Sequence, residues 1–105
     1  MIESEFQALS TVQSAAQPKP VTLASAATVA PSTFLTFISG TVAIATVTPP
    51  VQGAHMLVFV FTTTTPAAFT TTGNIKAVTT PTTNLPHFLF FNPIEGKYYT
   101  GEVTT

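Results

Sequence analysis

Two histidines, His55 and His87, and four glutamates, Glu3, Glu5, Glu95 and Glu102, are the side chains of this sequence best suited to acid–base work or cation binding; Asp, Arg and Cys are absent. A nucleophilic triad needs an acid, a His and a hydroxyl or thiol held together. Hydroxyls abound, but His55 opens an apolar run and His87 follows Pro86, with no acid beside either. Both read as strand-end residues with their rings at the surface. Structural zinc asks for four closed ligands, and two His without Asp make a poor set; a site shared around a symmetry axis is the remaining alternative. Paired glycosidase carboxylates would have to come from Glu3 and Glu5 near the N-terminus, Glu95 beside Gly96 and Lys97, and Glu102 near the C-terminus. Gly40, Gly53, Gly73, Gly96 and Gly101 stand singly, each explaining a turn, and build no phosphate loop. The expectation is no enzyme, no cofactor and no metal.

The elements that would carry these residues are β-strands. The chain has 105 residues, room for one domain, and 45% are hydrophobic, enough for a packed core. Only 7% are charged, against roughly 25% in an ordinary soluble domain, and none between Pro20 and Asn74. Roughly a fifth of the residues are Thr, β-branched and wettable, which moves the prior to all-β. The net charge of −1 and three scattered lysines, Lys19, Lys76 and Lys97, leave no electrostatic footprint for nucleic acid. No basic n-region precedes an apolar run at the N-terminus, and no apolar stretch is long enough for a spanning helix, so no signal and no membrane are expected. Nine Phe, two Tyr and no Trp resemble a core more than a stacking platform for sugars or bases. The Thr-Pro runs read as hairpin loops rather than glycosylated stalks, because they alternate with apolar strands. A small domain without disulfides often gains stability by oligomerising.

Residues 1–20 form an extended N-terminal arm in this reading, with a short helical turn over Glu3 to Val12 and Pro18 and Pro20 keeping the rest extended. Residues 21–105 form a single β domain. Strands are expected at 21–24, 34–38, 41–48, 55–61, 74–78, 88–91 and 97–103, separated by turn signals about ten residues apart. That spacing predicts a small antiparallel β-sandwich or barrel, because no helix-length segment exists to cross between parallel strands. Leu57, Phe59, Ile75, Leu89 and Phe91 are its expected core. The segment 55–61 is apolar on both faces, with Leu57, Phe59 and Phe61 on one and Met56, Val58 and Val60 on the other. One small core cannot bury both. The second face is covered either by the arm or a long loop, or by another subunit. The candidate partner-binding residues are therefore Met56, Val58 and Val60 on that face, and the apolar residues of the arm, Ile2, Phe6, Leu9 and Val12.

Five segments also form an ordered pattern. Val21-Thr22-Leu23-Ala24 is followed by Phe37-Ile38-Ser39-Gly40-Thr41-Val42-Ala43-Ile44-Ala45-Thr46-Val47-Thr48-Pro49-Pro50, then Gly53 and the apolar strand to Phe61. Thr70-Thr71-Thr72-Gly73-Asn74-Ile75-Lys76-Ala77 comes next, and Gly96-Lys97-Tyr98-Tyr99 closes the series. The order resembles that of small β-rich virion structural proteins of tailed bacteriophages, which include capsid decoration (cement) proteins and tail-fibre or spike tip domains. It covers roughly three quarters of the chain and departs at Tyr98, where a Trp is expected. The resemblance implies a virion component that is homo-oligomeric, with a trimer favoured. The expected role is a decoration protein on the capsid surface that binds the major capsid protein and stabilises the shell. The alternative is a receptor-binding tail-fibre or spike domain.

Overall fold

The computed structural model describes residues 21–102, so residues 1–20 and 103–105, including Ile2, Phe6, Leu9 and Val12, lie outside the described residues. Among the described residues every regular element is a strand. They are β1 (Val21–Ala24), β2 (Thr28–Val29), β3 (Leu35–Ser39), β4 (Thr46–Val47), β5 (His55–Phe61), β6 (Ile75–Ala77), β7 (Pro86–Asn92) and β8 (Lys97–Glu102). The all-β expectation is met. β1 and β5 have the bounds that their β-branched and aromatic residues suggested, and β7 starts on Pro86, a first position where a missing N–H costs the ladder least.

β1, β3, β5, β7, β8 and β6 lie side by side, in that order, in one six-stranded sheet, and β2 pairs with β4 in a second, two-stranded one. The pairing directions correct the antiparallel expectation. β5–β7 and β7–β8 are antiparallel, but β1–β3, β3–β5, β6–β8 and β2–β4 are all parallel. A parallel pair needs a long crossover, usually a helix. Here residues 25–34 and 40–54 make the crossovers as extended chain. Each carries one strand of the β2–β4 pair, so each finds its backbone partners in the other.

The expected strand over 41–48 is correspondingly divided. Only Thr46–Val47 belongs to β4, while Ile44 bridges to Phe69. Its amides are shared out: Ile44 donates to Ala68 O (2.8 Å), and Ala45 and Thr46 both donate to Ala27 O (2.9 Å).

The core lies between one face of the large sheet and this second layer. Ile38, Leu57, Phe59, Phe61, Ile75, Leu89, Phe91 and Tyr98 from the sheet meet Val29, Ile44, Val47, Ala67 and Phe69 from the crossovers and the 62–74 connection. All five core residues named from the sequence are among them. Gly73-Asn74 fastens the layers. A Cβ on Gly73 would stand 2.2 Å from Ala45 O and from Thr46 Oγ1, so only glycine permits this approach. The Asn74 carboxamide then pairs with both backbone groups of Val47: Val47 N–H donates to Oδ1 (2.8 Å) and Nδ2 donates to Val47 O (2.7 Å). A side chain here does the work of a strand.

Candidate partner-binding face

The alternation of side chains along each strand sends one set into the core and the other to the opposite face of the six-stranded sheet. On that outer face the strand register lines up three rows. Leu35, Val58, Phe88 and Gly101 make one, Phe37, Val60 and Pro86 the second, and Met56, Phe90 and Tyr99 the third. β3, β5 and β7 contribute no Lys or Glu to it. Met56 and Phe90, paired across β5 and β7, are 44% and 48% exposed, whereas Val58 between Leu35 and Phe88 is 7% exposed. Val29, Ile44, Val47, Ala67 and Phe69, from the crossovers and the 62–74 connection, join the core on the inner face. Of the residues singled out in the sequence, Met56, Val58 and Val60 therefore share one face. Leu35, Phe37, Phe88 and Phe90 join them, and this required the strand order, which period-two patterning does not supply.

The face ends at a polar margin on β8 and β6. Glu95, in the β7–β8 turn, is an ion-pair partner of Lys76 and accepts from the Tyr99 hydroxyl. The Lys76 hydrogen bond, with that from Tyr99, holds the Glu95 carboxyl below its ordinary value. Asn92 closes the turn, accepting from Ile94 N–H through Oδ1 (3.0 Å) and donating to Glu95 through Nδ2 (3.1 Å). Gly96 has φ +68°, in the left-handed region. Lys97 donates to Gly73 O at 2.9 Å.

His55 heads β5 as the sequence suggested, with its ring partly exposed, but His87 does not sit as expected. His87 is fully buried rather than at the surface. It stacks on Phe69 with centroids 5.1 Å apart and meets Phe61 edge-on at 5.9 Å. The reason is its register opposite Phe59 on the inward face of β7, a placement fixed by a partner distant in sequence. Its Nδ1 lies 3.5 Å from Glu102 Oε1, and Nε2 has no hydrogen-bond partner among the described residues. A carboxylate only accepts, so the neutral ring carries its proton on Nδ1 and leaves Nε2 as a bare acceptor. Burial pushes the His87 pKa below its ordinary value, with Glu102 opposing. Burial pushes the Glu102 carboxyl up, but the Thr82 amide (2.6 Å) and hydroxyl (2.8 Å), followed by His87, outweigh it and leave it low.

His55 is half-buried, stacked on Phe91 at 5.0 Å. Its Nδ1 is 2.8 Å from Gly53 O and its Nε2 2.7 Å from the Tyr98 hydroxyl. The carbonyl only accepts, so Nδ1 donates to it and the Tyr98 hydroxyl donates to Nε2. Tyr98, at the position where a Trp was expected, is thereby a buried core residue whose hydroxyl is satisfied. Burial pushes that phenol upward.

Among the described residues, His55 has no carboxylate beside it, and His87 has one but no hydroxyl within hydrogen-bond reach. Among the described residues no three His, Asp or Glu side chains gather as metal ligands, and no helix is long and apolar enough to cross a membrane. Comparison of the chain with protein-family models, with curated proteins and with solved structures finds no match.

Proposed function

We propose that this chain is a non-enzymatic structural protein that works docked to other proteins. Specifically, we read it as a bacteriophage capsid decoration protein, a homotrimer on the outer shell that braces the major capsid protein. The observation that carries the docking reading is the outer face, where Met56 and Phe90 stand open amid rows of half-buried Leu35, Phe37, Val60 and Phe88. Contiguous apolar surface of this kind marks interaction sites, and interface centres are poor in charge and rich in Phe, Tyr and Met. The capsid assignment rests on the ordered sequence pattern. The six-stranded sheet and the β2–β4 layer suit a sandwich with one inner core and one outward docking face. Binding only the assembled shell would stabilise that state by mass action.

The test is to incubate the purified protein with empty capsids and with host cells, then image both. Regular density on capsids, with particles that resist heat or osmotic shock better, is the expected result. A monomer that ignores capsids and adheres to cells would replace this reading with the tail-fibre one.

A further inference from the structure

Charge is scarce in this domain, and what there is gathers in one place. Among the described residues the only Lys and Glu are Lys76, Glu95, Lys97 and Glu102. Three of these four line a single cleft of about 390 Å³, together with Thr71 and Ile75. Small-ligand sites span roughly 300–1,000 Å³. Two ammonium groups share this cleft with one carboxylate, and that carboxylate is committed. Glu95 Oε2 takes Lys76, while Oε1 accepts from Asn92 Nδ2 at 3.1 Å and from the Tyr99 hydroxyl. Lys97 is left without an acid. It is half-buried, and its ammonium donates to Gly73 O at 2.9 Å, with no carboxylate beside it among the described residues. An ammonium carries three donors, so two remain for an incoming group. A partly desolvated charge without a counter-charge is costly, and a carboxylate that supplies one forms charge-assisted hydrogen bonds. The site is also held in place before anything binds. Lys97 opens β8 directly after the left-handed Gly96. Its acceptor, Gly73 O, belongs to the glycine wedged against Ala45 and Thr46. Ile75, 1% exposed at the start of β6, gives the cleft an apolar wall. The cleft adjoins the outer face, because Lys76 Nζ stands 6.0 Å from the centre of the Tyr99 ring, which ends the row of Met56 and Phe90.

We propose that this cleft receives a Glu or Asp side chain of a different protein, its carboxylate on Lys97 beside Thr71, while that protein's apolar surface covers the neighbouring rows. This rests on the reading of the outer face as a docking surface and adds what the neighbour carries: an acidic residue at the margin of an apolar patch. A second copy is a poor source, because its described carboxylates are engaged. Glu95 is held as above, and Glu102, its side chain 9% exposed, accepts from the Thr82 amide and hydroxyl.

The probe is a glutamate capped at both ends, set against its glutamine twin. Each is titrated into the full chain while backbone amide signals are followed by nuclear magnetic resonance. Glutamate is expected to shift Thr71, Ile75 and Lys97 and to bind at least about tenfold more tightly than glutamine, as a charge pair in a partly buried site requires. High salt should weaken it several-fold. Equal affinities, or shifts centred elsewhere, overturn the proposal. Lys97→Gln keeps a donor for Gly73 O and removes the charge, so glutamate should then bind no better than glutamine; a retained preference also overturns the proposal. Free Lys97→Gln should sediment as the native chain does. Loss of self-association would give the carboxylate to a second copy and overturn the assignment to a different protein. On capsids, Lys97→Gln should weaken decoration by a similar factor, and undiminished decoration counts against the site. If the native chain ignores capsids, the proposed function falls, and the glutamate titration still decides this inference.

Discussion

At the scale of single residues, His87 makes the domain sensitive to acid. Its neutral form is buried against Phe61 and Phe69, and burial holds its pKa below the ordinary 6.5. The unfolded chain therefore binds a proton that the folded one resists, and stability falls as pH drops below 6.5. Glu102, held below its ordinary 4.5, contributes stability that is present above 4.5 and lost as pH falls through its lower folded value. Denaturant midpoints measured from pH 7 to pH 3 should show both declines. In His87→Phe, which keeps a ring in the aromatic cluster, the upper decline should vanish and the lower one persist; an unchanged upper decline would refute the assignment. Asn74 makes a second prediction. Its carboxamide satisfies both backbone groups of Val47, so Asn74→Ala should cost about 2–3 kcal/mol in urea unfolding, two hydrogen bonds with their partners left unmade. The sequence displayed Gly73-Asn74 only as the opening of a strand. The clip to Val47 was not legible, because it joins positions whose proximity the crossovers create. His87 was misplaced for the same reason: its surroundings come from Phe61, Phe69 and Glu102, none adjacent in the chain.

At the scale of elements, β5 is the spine. It lies between β3 and β7, parallel to one and antiparallel to the other. Phe59 at its centre is wholly buried, T-shaped to Phe61 at 6.3 Å and stacked with Phe69 at 6.5 Å. Phe59→Ala should cost about 3–5 kcal/mol, transfer plus cavity, read as a lowered midpoint with an unchanged denaturant slope. A cost near 1 kcal/mol would mean that the site collapses on itself. β5 was readable because seven apolar or aromatic residues run between a Gly-Ala turn and a Thr tract. β2 was not, since Thr28–Val29 is too short to show a period and exists through pairing with Thr46–Val47. Direction was likewise hidden. Alternation tells which side chains share a face but not which way a neighbouring strand runs, and extended crossovers have no periodic signature comparable to that of a helix.

At the scale of the whole molecule, the two faces of the sheet divide the labour. The inner one holds the core, and the outer one is left apolar but open. Met56→Glu combined with Phe90→Lys changes residues nearly half exposed, so the domain should keep its fold and midpoint within about 1 kcal/mol, as surface changes do. Self-association measured by sedimentation and density on capsids should both disappear. Loss of fold would show that the face belongs to the core. Retention of both kinds of binding would move the docking site elsewhere. The face was half legible: Met56, Val58 and Val60 declared themselves by alternation, while the rows around them awaited the register.

The parallel pairing of β1 with β3 also has a mechanical meaning. Any tension carried by residues 1–20 enters the domain at Val21 and runs along β1. Because β1 lies alongside β3 from Val21–Thr36 to Ala24–Ser39, the pull is a shear. It loads the slanted hydrogen bonds of the pair together rather than peeling them one by one. Behind β1, Ser25 continues the grip by donating its amide to Ser39 O at 2.7 Å, and its hydroxyl accepts from Val42 N–H at 2.9 Å. In a protein with no disulfide to take the strain, residues 1–20 thus join the sheet at a point that resists being drawn lengthwise.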